Sequence, residues 1–258
     1  MKKLITFSFR RAALAGAASF LLLCGGAVSA RAADNSFSPA QRAEIVEIMR
    51  NALRTDPTIL SDAISSLQAQ ASARKASSAL ETVRRNKAQY GESTTDIVLG
   101  NKNGKLEMVE FYDPRCQYCR KVLGDVDHLI GSEPDLRLVE KVIPVLGPNS
   151  LIDAQAIMAA GLQNKYIPFQ KALMTDSATP SMERIRRIAQ NVGLDADRLL
   201  KDMKSPAVTA ALSKNIELAK AIDLEGTPTF IIGDREIIPG AASESDLKAA
   251  LDRLRKAH

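Results

Sequence analysis

The chain has 258 residues, 45% of them apolar and 25% charged, with a formal net charge of +5. That is the balance of an ordinary globular protein with room for one good-sized domain and an accessory segment. There is no Trp, and aromatic residues make up only 4%, which argues against a surface that stacks nucleic-acid bases.

The first residues change how the charge is read. Lys2-Lys3 and Arg10-Arg11 precede an apolar run from Ala12 to Leu23, and Ala30-Arg31-Ala32 has the form of a signal-peptidase site. Residues 1–33 read as a cleaved secretory signal peptide, because the apolar run is short for a membrane span. Removing residues 1–32 lowers Lys plus Arg from 35 to 30, equal to Asp plus Glu. The mature chain is then near neutral, with no basic face for nucleic acid. An exported location, the bacterial periplasm, is expected.

Residues 34–90 read as an N-terminal helical arm. Ile45, Ile48, Met49, Ala52 and Leu53 recur at helical spacing. Thr55-Asp56-Pro57 interrupts them, with Asp56 suited to cap and Pro57 to open a second helix. Ile59, Leu60, Ala63, Ile64 and Leu67 give a second apolar stripe. Residues 71–87, rich in Ala, Ser, Lys and Arg, predict a weakly amphipathic third piece, a stalk. Short helices with wide apolar stripes must bury them elsewhere. Residues 37–89 therefore point to a homo-oligomer, with docking onto the chain's own main domain as the alternative.

Residues 91–258 read as an α/β domain. Strands are predicted at 96–99 and 106–112, joined as a hairpin through Asn101-Lys102-Asn103-Gly104. A helix over 118–130 and a strand over 136–142 follow. Residues 149–223 are an almost wholly helical insertion. A hairpin, 227–232 and 235–238 around Gly233-Asp234, and a helix over 243–256 close the chain. The order βαβ, helical block, ββα implies a sheet of four to five strands.

Of 3 Cys, Cys24 leaves with the signal. Cys116 and Cys119 remain, too close in sequence for their bridge to restrain the unfolded chain much. Their place between a buried strand and a helix favours chemistry. The first Cys lies at the helix N-terminus, where free N–H groups and the helix dipole stabilise a thiolate. Cys116 is then the nucleophile, and Cys119, one turn inside, the resolving thiol. A zinc site would need two more ligands, and His128 and His258 are the chain's two His. No cofactor or resident metal is expected. Arg115 and Arg120 flank the motif, either as modulators of Cys116 or as solvated surface charge.

Val109-Glu110-Phe111-Tyr112-Asp113-Pro114-Arg115-Cys116-Gln117-Tyr118-Cys119 and the distant Gly226-Thr227-Pro228-Thr229-Phe230 resemble the DsbA-like disulfide oxidoreductases. Pro144-Val145-Leu146-Gly147-Pro148-Asn149-Ser150, with the helical arm, resembles the subgroup containing suppressor-of-copper-sensitivity protein C. The resemblance implies a thioredoxin fold with an inserted helical subdomain and dithiol–disulfide exchange with misfolded or unfolded exported proteins. It also implies a membrane redox partner and a cis bond at Thr227–Pro228 that shapes the substrate site. At Glu110 it implies a buried acid that relays the Cys119 proton. Sequence alternation alone leaves Glu110 open as a solvent-facing strand residue, and Lys141 is its candidate ion-pair partner. The strongest oxidants of the family carry His where Tyr118 stands, so Gln117-Tyr118 implies a less extreme thiolate. Tyr118 and Thr227 together are similar to the disulfide isomerases. A copper-binding chaperone, holding Cu(I) between the two thiolates, is the alternative function.

Overall fold

The computed structural model describes residues 37–91, 96–176 and 178–256. The expected signal peptide, residues 1–33, lies outside the described residues. The chain divides into two compact units, Met1–Leu60 and Ser61–His258.

In the first unit, α1 (Pro39–Thr55) begins with a capping box: the Ser38 hydroxyl accepts from Gln41 N–H while the Gln41 side chain accepts from Ser38 N–H. Not one residue of α1 is buried. Asp56 ends α1 and accepts from Thr58 N–H, so it caps the next helix as expected, with Pro57 in the turn.

That helix, α2 (Thr58–Arg85), runs without a break through the stretch expected to be a separate stalk. Within the second unit its later turns bury Ala79 and Val83 against the sheet, and α3 (Lys87–Gly91) buries Tyr90. The compact division at Leu60–Ser61 therefore falls earlier than the expected boundary at residues 90–91. Two small side chains one turn apart are enough for a helix to dock, and a weak stripe hid them.

The sheet has five strands in the order β1-β3-β2-β4-β5, where β1 is Ile97–Gly100, β2 Leu106–Tyr112, β3 Leu136–Val142, β4 Thr229–Ile232 and β5 Glu236–Pro239. β2 and β3 are parallel, joined through α4 (Gln117–Ser132); the other pairs are antiparallel. The expected β1–β2 hairpin does not form: β3 lies between the two strands. Asn101 to Gly104 does turn, but the turn clasps the start of β3. Asn101 N–H donates to Leu136 O, Lys105 N–H to the Asp135 carboxylate and Leu106 N–H to Asp135 O. Turn chemistry sets a reversal of the chain; which strand fills the gap is decided by the parallel crossover.

The helical insertion comprises α5 (Pro148–Gly161), α6 (Tyr166–Thr175), α7 (Met182–Asn191), α8 (Ala196–Asp202) and α9 (Pro206–Ala221), and α10 (Glu244–Arg255) ends the fold. Alternation along the strands splits the core. Met108, Tyr112, Leu138, Val142, Phe230 and Ile232 face the side covered by α4 and the insertion. Val109, Phe111, Val139 and Ile231 face Val83, Tyr90 and Leu218 on the other. The β4–β5 turn opens with Gly233 at φ 54, where a side chain would also meet Leu254.

Candidate functional site

Cys116 is the N-cap of α4, in extended conformation, and its side chain makes no cap bond. The preceding apolar strand cannot continue through Asp113-Pro114; Cys116 N–H turns back to Asp113 O at 3.0 Å and α4 starts at once. The thiol sits where the helix presents its unpaired N–H groups. Both cysteines are free and buried, Cys116 at 7% exposure and Cys119 at 1%.

The two thiols are driven in opposite directions. Burial pushes the Cys116 thiol up. Hydrogen bonding with Thr227 and with the Cys119 thiol, and from the N–H groups of Cys119 and Tyr118, outweighs it, leaving Cys116 below the ordinary value of 9.0. Cys119, one turn inside α4, is pushed far up, chiefly by burial. One favoured thiolate beside one protected thiol is the arrangement that exchange chemistry uses. The pH midpoint for alkylation of Cys116 should therefore lie below the ordinary thiol value. A midpoint at or above 9.0 for Cys116 would contradict the hydrogen-bond account.

The Thr227–Pro228 peptide bond is cis, as the resemblance implies. The Cys116 thiol donates to Thr227 O at 3.2 Å, so the residue before Pro228 lies directly against the sulfur. Thr229 Oγ1 donates to Gly226 O at 2.8 Å and closes the turn that carries this carbonyl. Of the intervening dipeptide, Gln117 opens α4 and Tyr118 is 55% exposed beside the cysteines.

Asp113 is the residue that sequence reasoning passed over. It is fully buried, and its carboxylate accepts from Arg115 N–H (2.8 Å), Ser150 Oγ (2.8 Å), Val145 N–H (2.8 Å) and Leu146 N–H (3.0 Å). It ties the approach to Cys116 to the 143–150 loop, which holds Val145 and Leu146 out in solvent, both more than half exposed. Asp113→Ala strips the acceptor from three backbone N–H groups and one hydroxyl. A loss of about 2–3 kcal/mol is expected in urea melts of the reduced protein, with a faster-exchanging 143–150 loop; an unchanged midpoint would contradict the clamp.

Arg115 is partly buried and pairs with Asp153 at 3.2 Å, and Asp153 also takes Arg184 at 3.1 Å. Arg115 is thus anchored to the insertion rather than solvated. Arg120 donates to Pro114 O at 3.2 Å.

Glu110 is buried on the α4 side of β2, the face that also carries both cysteines. The expected Lys141 partner is not there. Lys141 is in register with Phe111, on the opposite face, and pairs with Asp96 and with Gln89 O. A shift of one residue along a strand changes the face, and the residue in register with Glu110 is Glu140. Glu140 accepts from Tyr166 Oη (2.5 Å) and Gln170 Nε2 (2.7 Å), and Tyr166 bonds Tyr112 Oη at 2.6 Å. Tyr166 and Phe169 are both buried, and Tyr166 also carries this polar network. A signal was present: Glu110 and Glu140 stand at the same place in two similar apolar strands.

Among the described residues no group of three or more His, Cys, Asp or Glu is placed to hold a metal ion.

The family model of the DSBA-like thioredoxin domain matches residues 107–252, and that of the copper resistance protein ScsC N-terminal domain matches residues 41–74. A thioredoxin-like oxidoreductase from Silicibacter pomeroyi is 38% identical with a TM-score of 0.63, covering 66% of this chain and 98% of that one. The thiol-disulfide exchange protein alpha-DsbA2 from Wolbachia pipientis is 27% identical with a TM-score of 0.65, covering 70% and 98%. A linker-deletion variant of ScsC from Proteus mirabilis shares the fold at 21% identity and a TM-score of 0.63, covering 87% and 100%. The Na(+)/H(+) antiporter NhaA of Herminiimonas arsenicoxydans is 30% identical over 183 residues, 65% of this chain but 29% of the antiporter. The chain spans less than a third of the length of the curated relatives it matches, and among the described residues no helix is long and apolar enough to cross a membrane. With a thioredoxin-like five-stranded sheet, a helical N-terminal region and a family match over more than half its length, the chain belongs to the DSBA-like thioredoxin-domain family.

Proposed function

We propose that this protein is a periplasmic thiol–disulfide oxidoreductase that forms or reshuffles disulfides in exported proteins through Cys116 and Cys119. The observation that carries the reading is the split between the two thiols. Cys116 sits at a helix start with its thiolate favoured, and Cys119 is buried and held protonated.

In the reducing direction the Cys116 thiolate attacks a substrate disulfide. A Cys116–substrate disulfide forms and the departing substrate sulfur leaves as a thiolate. Cys119 then gives up its proton and attacks Cys116 Sγ, releasing the second substrate sulfur; the enzyme dithiol is oxidised by two electrons and the substrate disulfide reduced. Donation of a disulfide is the same sequence reversed. A membrane redox partner resets the couple. Tyr118, Val145, Leu146 and Leu151 are exposed apolar side chains near the motif and its clamped loop, a surface suited to an unfolded chain with exposed apolar residues.

Residues 37–89 support self-association. In α1, Val46, Ile48, Met49 and Leu53 are all 45% or more exposed, and in α2 so are Ile59, Leu60, Ile64 and Leu67. Contiguous apolar side chains in water call for a partner, and further copies of the same helices fit.

The copper reading asks both thiols to ionise, against the burial that holds Cys119 protonated. Cys119→Ser separates the two. With exchange, the variant accumulates a Cys116 mixed disulfide with a scrambled, disulfide-containing substrate, visible on non-reducing gels. If no adduct forms and Cu(I) binding instead collapses in this variant, the metal reading replaces the redox one.

A further inference from the structure

The inference concerns Glu140 and rests on the exchange chemistry proposed above. Glu110 and Glu140 are in register on neighbouring parallel strands, which places their backbones about 5 Å apart. Both side chains are buried, at 5% and 3% exposure, on the face covered by α4 and α6. Two carboxylates in one dry site do not both ionise; one proton stays with the pair.

The surroundings decide which carboxyl keeps it. From α6, Tyr166 and Gln170 both donate to Glu140 Oε2, and Tyr166 is itself backed by Tyr112 of β2. Donors that face an oxygen stabilise its charge. Glu110 faces Glu140 from β3 and Phe230 from β4. From α4 come Cys119 and Asp127, the latter paired with Lys171 of α6 at 2.7 Å. Burial first, then the charges of Glu140 and Asp127, push the Glu110 carboxyl well up. Burial also lifts Glu140, but its hydrogen bonds pull it back to about 7.

We infer that Glu140 is a positioning residue: by carrying the pair's single negative charge it keeps Glu110 protonated and so delays the resolving attack of Cys119. Glu110 lies buried on the β2 face whose Met108 and Tyr112 pack in one cluster with Cys119. In the resolving step the Cys119 S–H proton passes to a Glu110 carboxylate oxygen, the Cys119–Cys116 bond forms, and the Cys116–substrate bond breaks with the substrate thiolate leaving. A protonated Glu110 cannot take that proton. The mixed disulfide then persists, which leaves time for another substrate thiol to attack it and reshuffle the pairing.

The test is the pH dependence of resolution. A mixed disulfide of Cys116 with glutathione is formed on the full mature chain, and release of glutathione by Cys119 is followed by rapid quench. Glu140→Gln keeps an oxygen for Tyr166 and Gln170 but removes the charge. The midpoint of its pH–rate profile should move down by about one unit, with release about tenfold faster at neutral pH. Glu110→Gln should lose the carboxyl-dependent limb. If Glu140 merely anchors Tyr166 and Gln170, the Glu140→Gln midpoint stays where it was and the inference is wrong. Should Glu140→Gln not fold, carbon-13 glutamate titration of the wild-type reduced protein decides. One carboxyl titrating near 7 while its neighbour stays protonated supports the pair; two buried carboxyls ionising in the ordinary acid range overturn it. Failure to release glutathione in the wild type as well would instead defeat the exchange reading itself.

Discussion

Cys116→Ser should reduce thiol–disulfide exchange to the uncatalysed level, with the fold intact. The Cys116 side chain makes no cap bond for α4, so a serine hydroxyl there does not remove a support of the helix and can add one. What is lost is the only sulfur placed at the helix start. A hydroxyl at the same place has an ordinary pKa far too high to supply an anion near neutral pH, and it forms no mixed disulfide. The check is reduction of a model disulfide at equal concentrations of wild type and variant, with thermal unfolding measured beside it. Residual activity within tenfold of wild type would mean that Cys119 or another group attacks directly, and the division of roles between the two thiols would be wrong.

The second large effect is expected at the other end of the chain. Met49 and Leu53 are exposed, at 58% and 45%, on a helix that buries nothing. Each apolar side chain removed from water by a partner stabilises the assembly by about 1.5–3 kcal/mol, so a double change to Asp in every copy acts several times over. Met49→Asp with Leu53→Asp should convert an oligomer into a monomer in sedimentation velocity. Reduction of a small disulfide should be unchanged, because neither residue belongs to the compact unit that carries Cys116. Recovery of a multi-disulfide protein from its scrambled form should fall sharply if several redox centres must surround one substrate. A wild-type protein that sediments as a monomer would remove the self-association proposal outright.

These two expectations differ in how plainly the sequence announces them. The Cys-x-x-Cys at a strand-to-helix junction is legible because strand, breaker and helix follow one another within a few residues, and local rules place Cys116 at the cap. The Thr227–Pro228 turn lies far away in sequence, and resemblance rather than periodicity connected it to the cysteines; the structure sets Thr227 O against Cys116 Sγ. Glu110 was legible as an acid in an apolar strand, but its neighbour was not. Lys141 was the natural partner by charge, and strand alternation turned it to the opposite face, leaving Glu140. Partner identity across a sheet depends on register, and register depends on long-range packing that a single strand does not encode.

Asp113 was overlooked for a related reason. A short Asp before Pro reads as ordinary turn chemistry, whereas three of its four bonds go to residues in the 145–150 stretch. The β1–β2 hairpin failed because a good turn sequence specifies a reversal but not the pairing that follows it. In α2, Ala79 and Val83 gave too weak a stripe to reveal that the helix docks. The helical insertion, by contrast, followed its capping and apolar signals closely: Ser181, Asp195 and Ser205 each accept from a backbone N–H three residues on.

The claim on which all of this depends is that Cys116 and Cys119 form a reversible redox couple of moderate potential. Equilibrating the protein in glutathione buffers and counting free thiols measures it directly. The account predicts a single intramolecular disulfide with a potential of about −180 to −230 mV, the range of isomerases and glutaredoxins. A value of about −120 mV would mark a strong disulfide donor and contradict the role given to Tyr118 and to the slow resolving thiol. No intramolecular disulfide at any buffer ratio would contradict the redox reading altogether.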